Sequence, residues 1–528
     1  MKPIEEQNKI AFLVKKLARK KLGSFADLIK EKQKICAELR ISSPKNSDIL
    51  KTYWKLKKNG KIKTDKSLEQ ELKKRPVRTL SGVAVVAVLT KPWPCPGQCL
   101  YCPLEKDIPK SYLSGEPAVE RAKLLGYNPY QQVKKRIEVL ENNGHPTDKI
   151  ELIIIGGTWS YLPKKYQTWF IKQCFAGANG NKTKVRNLKD LQKINEKAKH
   201  RIIGLTLETR PDYITPQEII RTRNFGCTRV EIGVQIADDR ILNINERGHK
   251  VKEIIRATEL LKNSGFKVCY HLMPGLYGSS PKKDFETFKK IFSKNEFRPD
   301  MIKIYPCVVA KGSQLYKLFK NGKYKPYPDK QLINLLIKMK SVVPPWVRIN
   351  RLIRDIPAWQ IQAGSKISNL REVVQKKMQE LKKPCRCIRC REIKDLKLKT
   401  SDFKLIKRGY AASNGREIFL SFENAAKTRI AAFLRLRLSK NNEPIFSVLK
   451  DSALIRELHT YGQLVEIKKK NKEAWQHFGF GKKLMREAEK IAQKEGYKKM
   501  AVIAGIGVRQ YYRRLGYHLQ NTYMVKTL

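Results

Sequence analysis

Nowhere in its 528 residues does the chain hold the ~18–20 consecutive uncharged apolar residues that a membrane span requires. The N-terminus, MKPIEEQNKIAFLVKKLARKK, carries charges throughout and lacks the uninterrupted apolar core of a secretion signal. Both absences predict a cytoplasmic protein without membrane contact. Acidic side chains are scarce as well. Asp and Glu number 49 against 110 Lys and Arg, a net charge of +61. An excess of that size attracts polyanions, because phosphate contacts release condensed counterions. Nucleic acid is the leading partner; a lysine-rich background with no specific partner is the bland alternative. Hydrophobic residues make up 41% of the chain, which excludes wholesale disorder, and the length suggests about two to four domains.

Eleven cysteines in a cytoplasmic chain are not a disulfide framework. Five of them, Cys36, Cys174, Cys227, Cys269 and Cys307, are scattered and expected to act as small buried hydrophobes. The other six form two clusters. In KPWPCPGQCLYCP, Cys95, Cys99 and Cys102 follow an x3, x2 spacing, and the nearest histidine in sequence is His145. A structural zinc takes four ligands. Three thiolates suit a [4Fe-4S] cluster with one iron left open to a substrate or cofactor; a zinc site completed from a distant residue is the alternative. The prolines and Gly97 let the loop wrap tightly, and Leu100 and Tyr101 are placed to shield it. The second cluster, KPCRCIRCRE, offers Cys385, Cys387 and Cys390. A zinc staple is expected there, with the fourth ligand unassigned and His459 one candidate. Reduced surface thiols or a second iron–sulfur cluster are the competing readings.

The chain divides into four parts. Residues 1–75 read as basic amphipathic helices, either a tRNA-binding region or ordinary solvated helix faces. Residues 76–384 alternate short apolar runs, such as SGVAVVAVLT, ELIIIGGT, RIIGLTLET, RVEIGVQI, KVCYHLMPG and DMIKIYPCV, with helical segments. Six such repeats predict a parallel α/β sheet, open barrel or doubly wound. Polar residues recur at the strand ends: Glu208 and Arg210, Glu231 and Gln235, His271 and Met273, Lys303 and Tyr305. Buried polar groups cost free energy unless paired or used, so this ring marks a site. Residues 385–396 form the cysteine-rich linker. Residues 397–528 read as antiparallel strands followed by a helix, a buried strand and a short helix. There Gln476, Gly479, Phe480 and Gly481 lie in a Q-x-x-G-x-G pattern that leads into a helix, GKKLMREAEKIAQKEG, with Lys482 in its first turn, where bare backbone N–H groups and the positive helix end suit a pyrophosphate.

The first cysteine loop, with Gly156, Gly157 and Thr158 ending the second strand, resembles the radical S-adenosylmethionine enzymes. That resemblance implies a partial (β/α)6 barrel in which the open iron chelates S-adenosylmethionine and one electron cleaves it to a 5′-deoxyadenosyl radical. The C-terminal order resembles the GNAT acetyltransferases. It implies acetyl-CoA on the Gln476–Lys482 loop, Tyr511 near the thioester, and Glu457, Leu458, His459 and Thr460 along the pantetheine arm. By chemistry alone, Glu457 and His459 are candidate bases.

The pairing of both domains, with PVRTLSGVAVVAV, LTLETRPDY, NERGHKV, VPPWVRINRLIRDIP, QHFGFG and VRQYYRRLGY, resembles the catalytic subunit of Elongator over nearly the full length. The resemblance implies a tRNA-modifying enzyme that builds a carboxymethyl group at C5 of the wobble uridine from acetyl-CoA. Lys303, from the strand-end ring, and Tyr511 and Tyr512, from the C-terminal helix, are the catalytic candidates, and the resemblance implies Lys149 at acetyl-CoA. The implied partners are the tRNA anticodon stem-loop and an electron donor, with no obligatory partner subunit and a monomer or homodimer as the unit. The segment PLEKDIPKSYLSGEP departs from the glycines that often follow the third cysteine in that family. An amine acetyltransferase with a structural iron–sulfur domain, or a non-catalytic RNA-binding scaffold, are the alternatives.

Overall fold

The computed structural model describes residues 3–20, 22–73, 82–180, 187–393, 400–439, 443–461 and 479–528. Strands β1 (Ala84–Leu89), β2 (Lys149–Ile155), β3 (Arg201–Thr209), β4 (Arg229–Gln235), β5 (Lys267–Leu272) and β6 (Met301–Ile304) are followed by a short β7 (Val309–Ala310) and by β8 (Arg348–Arg351). The first sheet runs β1-β2-β3-β4-β5-β6-β8, all parallel, while β7 pairs with β9 (Ile361–Ala363). The six expected strands are present. The seventh, β8, reads RINR, and its two arginines hide it from a search for apolar runs.

Alternation along β2 shows how the sheet makes a site. Ile150, Leu152 and Ile154 are buried in the core, while Lys149, Glu151, Ile153 and Ile155 are half-buried and line a cavity on the other face. The crossover helices are started cleanly. Asn128, Thr215 and Ser280 each accept a backbone N–H from the first turn, and a proline follows each cap.

The second sheet contains β10 (Phe403–Ala412), β11 (Gly415–Asn424), β12 (Ile430–Leu438), β13 (Ser452–Thr460), β14 (Lys499–Val502), β15 (His518–Gln520) and β16 (Tyr523–Thr527), in the order β10-β11-β12-β13-β14-β16-β15. β10 is an edge strand with several exposed positions, so its apolar signal in sequence is faint. β13 pairs parallel with β14 only from Ser452 to Ile455; beyond that the two strands part and leave a wedge. The helix Phe480–Lys494 packs over this sheet.

Four N-terminal helices, Pro3–Leu17, Phe25–Glu38, Asn46–Lys58 and Lys66–Leu72, surround a separate core that includes Leu13, Leu28, Leu50 and Tyr53. Among the described residues no helix is long and apolar enough to cross a membrane.

The two sheets are joined by a buried seam. Leu454, Ile503, Ile506 and Tyr523 share one hydrophobic cluster with the barrel strands. Arg456 spans Asp300 and Glu417, with Nη2 at 2.5 Å and 2.9 Å from their carboxylates, and all three side chains are inaccessible. A Cβ on Gly505 would lie 1.9 Å from the Ile203 carbonyl oxygen, so only glycine allows the backbone to approach β3 so closely.

Candidate active site

The loop after β1 holds Cys95, Cys99 and Cys102, all free thiols, with Cys99 buried. Cys95 Sγ lies 3.7 Å from Thr158 Oγ1. Gly156, at φ 131°, passes so near the end of β1 that a Cβ would fall 2.1 Å from Thr90 Oγ1. Lys110 donates to the Gly97 carbonyl. Two arginines stand behind the loop. Arg247 donates from Nη1 to Cys99 Sγ at 3.4 Å and from Nη2 to the Gly233 carbonyl at 2.8 Å. Arg210 is held by Asp212 at 3.0 Å and 2.8 Å, and its buried Nη1 has no hydrogen-bond partner among the described residues. The Cys99 thiol is drawn well below its ordinary value by the Cys102 thiol beside it. Burial opposes this, and the two guanidiniums reinforce it. Three soft thiolates facing unspent guanidinium donors fit an anionic iron–sulfur group.

Inside the barrel, side chains from five strands form a polar ladder. Glu231 accepts from His271 Nε2 at 2.7 Å and is ion-paired to Lys303. Lys303 also reaches Glu208 at 3.1 Å, and Tyr112 donates to Glu208 at 3.4 Å. Arg229 continues the ladder, 2.6 Å from Glu151. Burial alone would raise the Glu231 carboxyl; Lys303, His271 and Arg229 outweigh it and hold it well below the usual range. Burial opposes the charge on Lys303 too, but Glu231 and its neighbours raise it well above the ordinary lysine value. Glu231, Cys269 and His271 are close enough to bind a metal, yet the Lys303 ammonium already supplies the cation. Gln235, at φ 65°, ends β4 beside a break in the β4–β5 register and lines the same cavity.

At the second sheet, Gly479 adopts φ 75° as the cap of the helix Phe480–Lys494. Gly481 faces Tyr511: a Cβ there would stand 3.0 Å from the Tyr511 hydroxyl. Leu458, Thr460, Lys482 and Tyr511 line the cavity at the wedge between β13 and β14. The Phe480 side chain points the other way, against Phe422 at 4.4 Å, so only its backbone is available to a ligand. Tyr512 packs in the core of this sheet. Glu457 is tied to Arg435 at 2.8 Å. Burial would raise its carboxyl, but Lys267 and Arg435 outweigh it and lower it. Burial lowers the His459 imidazole, which stacks on Phe433. Gln476 lies outside the described residues.

One cavity of about 2050 Å³ joins these parts. It is lined by the cysteine loop, Gly157, Thr158, the polar ladder, and then Lys149, Arg201 and Lys267 at the strand starts, before reaching Leu458, Gly481 and Tyr511. Burial lowers the Lys149 ammonium below its usual value.

The second cluster sits where the two sheets meet. The sulfurs of Cys385, Cys387 and Cys390 lie within 4.8 Å of one another, and Lys340 Nζ is 4.0 Å from Cys390. Among the described residues no fourth ligand joins the group, and His459, considered for that role, is not part of it. Arg391 braces the segment by pairing with Glu423 at 2.9 Å and donating to the Pro345 carbonyl.

Arg247, Glu151 and Arg229 occupy site positions that no catalytic motif in the sequence marks. Glu151 and Arg229 had a signal, since each is a charge inside an otherwise apolar strand, KIELIII and RVEIGVQ.

A half-barrel with a three-thiol loop at its mouth is the architecture of a radical S-adenosylmethionine enzyme. The profile of the Radical SAM superfamily matches residues 95–291, and that of the Radical_SAM C-terminal domain matches 299–380. Two relatives narrow this. The "tRNA uridine(34) acetyltransferase" of Methanocaldococcus infernus is 47% identical over 503 residues, 92% of each chain. The "Elongator complex protein 3" of Bos taurus is 40% identical over 479 residues, covering 88% of this chain and 87% of its own. The solved structure of the archaeal Methanocaldococcus infernus Elp3 with an N-terminal deletion superposes with a TM-score of 0.75 at 44% identity, covering 85% of this chain and all of that one. The chain belongs to the Elongator complex protein 3 family, together with the tRNA uridine(34) acetyltransferases.

Proposed function

We propose that this chain modifies uridine 34 of tRNA, joining the acetyl unit of acetyl-CoA to C5 of the base by radical chemistry. The observation that carries the reading is the single cavity, which runs from the cysteine loop through the barrel to Gly481 and Tyr511. Two separate activities would not need a shared interior. Cys95, Cys99 and Cys102 would hold a [4Fe-4S] cluster, with Gly156, Gly157, Thr158, Glu208, Arg210, Gln235 and His271 around S-adenosylmethionine. When bound, that pair supplies a carbon radical by one-electron cleavage of the sulfonium.

The chain's own residues supply position and charge. Glu231 and Lys303 neutralise one another and keep a rigid polar floor below the reacting groups. Tyr511, Leu458, Thr460 and Lys482 would flank the acetyl-CoA arm, and Lys149 would meet it at the barrel's lower rim. Glu457 is fixed as a carboxylate by Arg435, which makes it a poor proton shuttle and favours a site that delivers a thioester over one that acetylates an amine. Cys385, Cys387 and Cys390 would hold zinc. The basic N-terminal helices would grip the anticodon stem-loop, with no membrane involved, in the cytoplasm, on an enzyme that acts without a partner subunit.

The test is mass spectrometry of tRNA nucleosides after anaerobic incubation with tRNA, acetyl-CoA, S-adenosylmethionine and dithionite. A C5-carboxymethyl uridine at position 34, with deoxyadenosine formed only when tRNA is present, is the expected result. Unmodified uridine 34 in every tRNA overturns the reading.

A further inference from the structure

Under the proposed function Arg247 is not a ligand to the cluster, S-adenosylmethionine or acetyl-CoA, yet its surroundings are specific. It is 7% exposed, and no carboxylate among the described residues pairs with it. Its charge faces Cys99, Cys102 and Tyr101 instead. Gly233 clears its path: a Cβ there would lie 2.5 Å from Arg247 Nη2. With Nη2 anchored on the Gly233 carbonyl at 2.8 Å, Nη1 is aimed at Cys99 Sγ at 3.4 Å. The neighbouring cation, Arg210, spends its charge on Asp212. Arg247 is therefore the uncompensated charge of the pair. A guanidinium buried without a counter-ion is costly, and the cost is recovered when the facing group is an anion.

We propose that Arg247 is a positioning residue for the iron–sulfur cluster, one whose hydrogen bond to Cys99 raises the cluster's reduction potential and favours its one-electron-reduced form. The inference rests on the reading that Cys95, Cys99 and Cys102 hold a [4Fe-4S] cluster. Three thiolates make the cluster anionic, and one electron from a low-potential donor adds a further negative charge. A fixed cation at hydrogen-bond distance from a ligand sulfur stabilises the more negative state more, and hydrogen bonds to sulfur are among the levers that set cluster potentials. The bond withdraws electron density from Cys99 Sγ, and Tyr101, buried beside both cysteines, keeps water from screening it.

The experiment compares the full chain with Arg247→Lys and Arg247→Gln, each reconstituted anaerobically with iron and sulfide. Iron content is measured first, then the potential by dye-mediated titration followed by electron paramagnetic resonance, without S-adenosylmethionine or tRNA. Arg247→Gln is expected to make reduction about tenfold less favourable, a shift of about 59 mV to more negative potential for one electron. Arg247→Lys, which keeps the charge and loses the planar fork, should fall between. In the wild-type protein a solvent-exchangeable proton should couple to the reduced cluster and vanish in Arg247→Gln. Equal potentials in loaded proteins overturn the inference and leave the cluster reading intact. Failure of both variants to bind iron also overturns it, because Arg247 would then build the loop rather than tune it. A wild-type protein that binds no iron sinks the cluster reading itself, and the inference with it.

Discussion

Lys303 of β6 and Glu231 of β4 meet across β5 as an ion pair, with Glu231 inaccessible and the Lys303 side chain 10% exposed. His271 and Arg229 complete the shell of Glu231, so the pair is part of the barrel's interior rather than a surface decoration.

Removing one partner of a buried pair strands the other. Lys303→Met should lower stability by about 3–5 kcal/mol, measured by chemical denaturation. Glu231→Gln combined with Lys303→Met should restore much of the loss, because the uncompensated carboxylate is gone. A double variant as unstable as Lys303→Met would contradict this coupling.

Acid should loosen the seam between the sheets. Burial would raise the Asp300 carboxyl, but Arg456, Lys262 and Arg435 outweigh it and place it far below the usual range. A depressed carboxyl stabilises fully above its unfolded value, about 3.9, and loses that contribution as pH falls through the folded value. The melting temperature should therefore be insensitive to this group from neutrality to about pH 4 and decline below it. Asp300→Asn should melt lower at neutral pH and show a shallower acid limb.

Acetyl-CoA affinity should depend on bare backbone at Gly481. Gly481→Val would push a side chain into the Tyr511 hydroxyl, which a Cβ alone already approaches to 3.0 Å. The expected outcome by calorimetry is at least about tenfold weaker binding, ~1.4 kcal/mol, with tRNA affinity unchanged. Unaltered acetyl-CoA binding would move the thioester site elsewhere.

The net charge of +61 sets the salt response. If about six to ten phosphates are neutralised, tRNA affinity should fall about a thousandfold or more between roughly 50 and 200 mM salt. Fluorescence anisotropy with an anticodon stem-loop measures the slope. A flat salt profile would separate the charge from nucleic-acid binding.

Metal analysis tests the second cluster. The wild-type chain should carry zinc in addition to iron, and Cys387→Ser should lose the zinc alone. The fully buried position of Cys387 predicts a lower melting temperature as well.

Much of the fold is legible in the sequence because its strands are apolar runs and its cysteine loop has a spacing with few chemical uses. What stays hidden depends on partners far along the chain. Arg247 and Cys99 are 148 residues apart and meet only because the loop after β4 folds back over the loop after β1. In β12, AFLRLRL alternates like a strand with one solvated face. Arg435 and Arg437 are each 1% exposed, because that polar face docks on the barrel and finds Asp300, Glu417 and Asn263. Local periodicity reports that a strand has two unlike faces, but not that the charged one is buried. Phe480 divides its roles in a related way. It stands in a phosphate-type loop, yet its ring belongs to the core.

Gly505 carries a wider consequence. With no room for a methyl group against the Ile203 carbonyl, and with a Cβ on Gly507 only 2.6 Å from Arg201 Cβ, the half built on the second sheet is fitted to this barrel by backbone shape. Transplanting that half onto a foreign barrel would require carrying the opposing start of β3 along with it, so the two units that look modular in the primary structure would have to diversify as one.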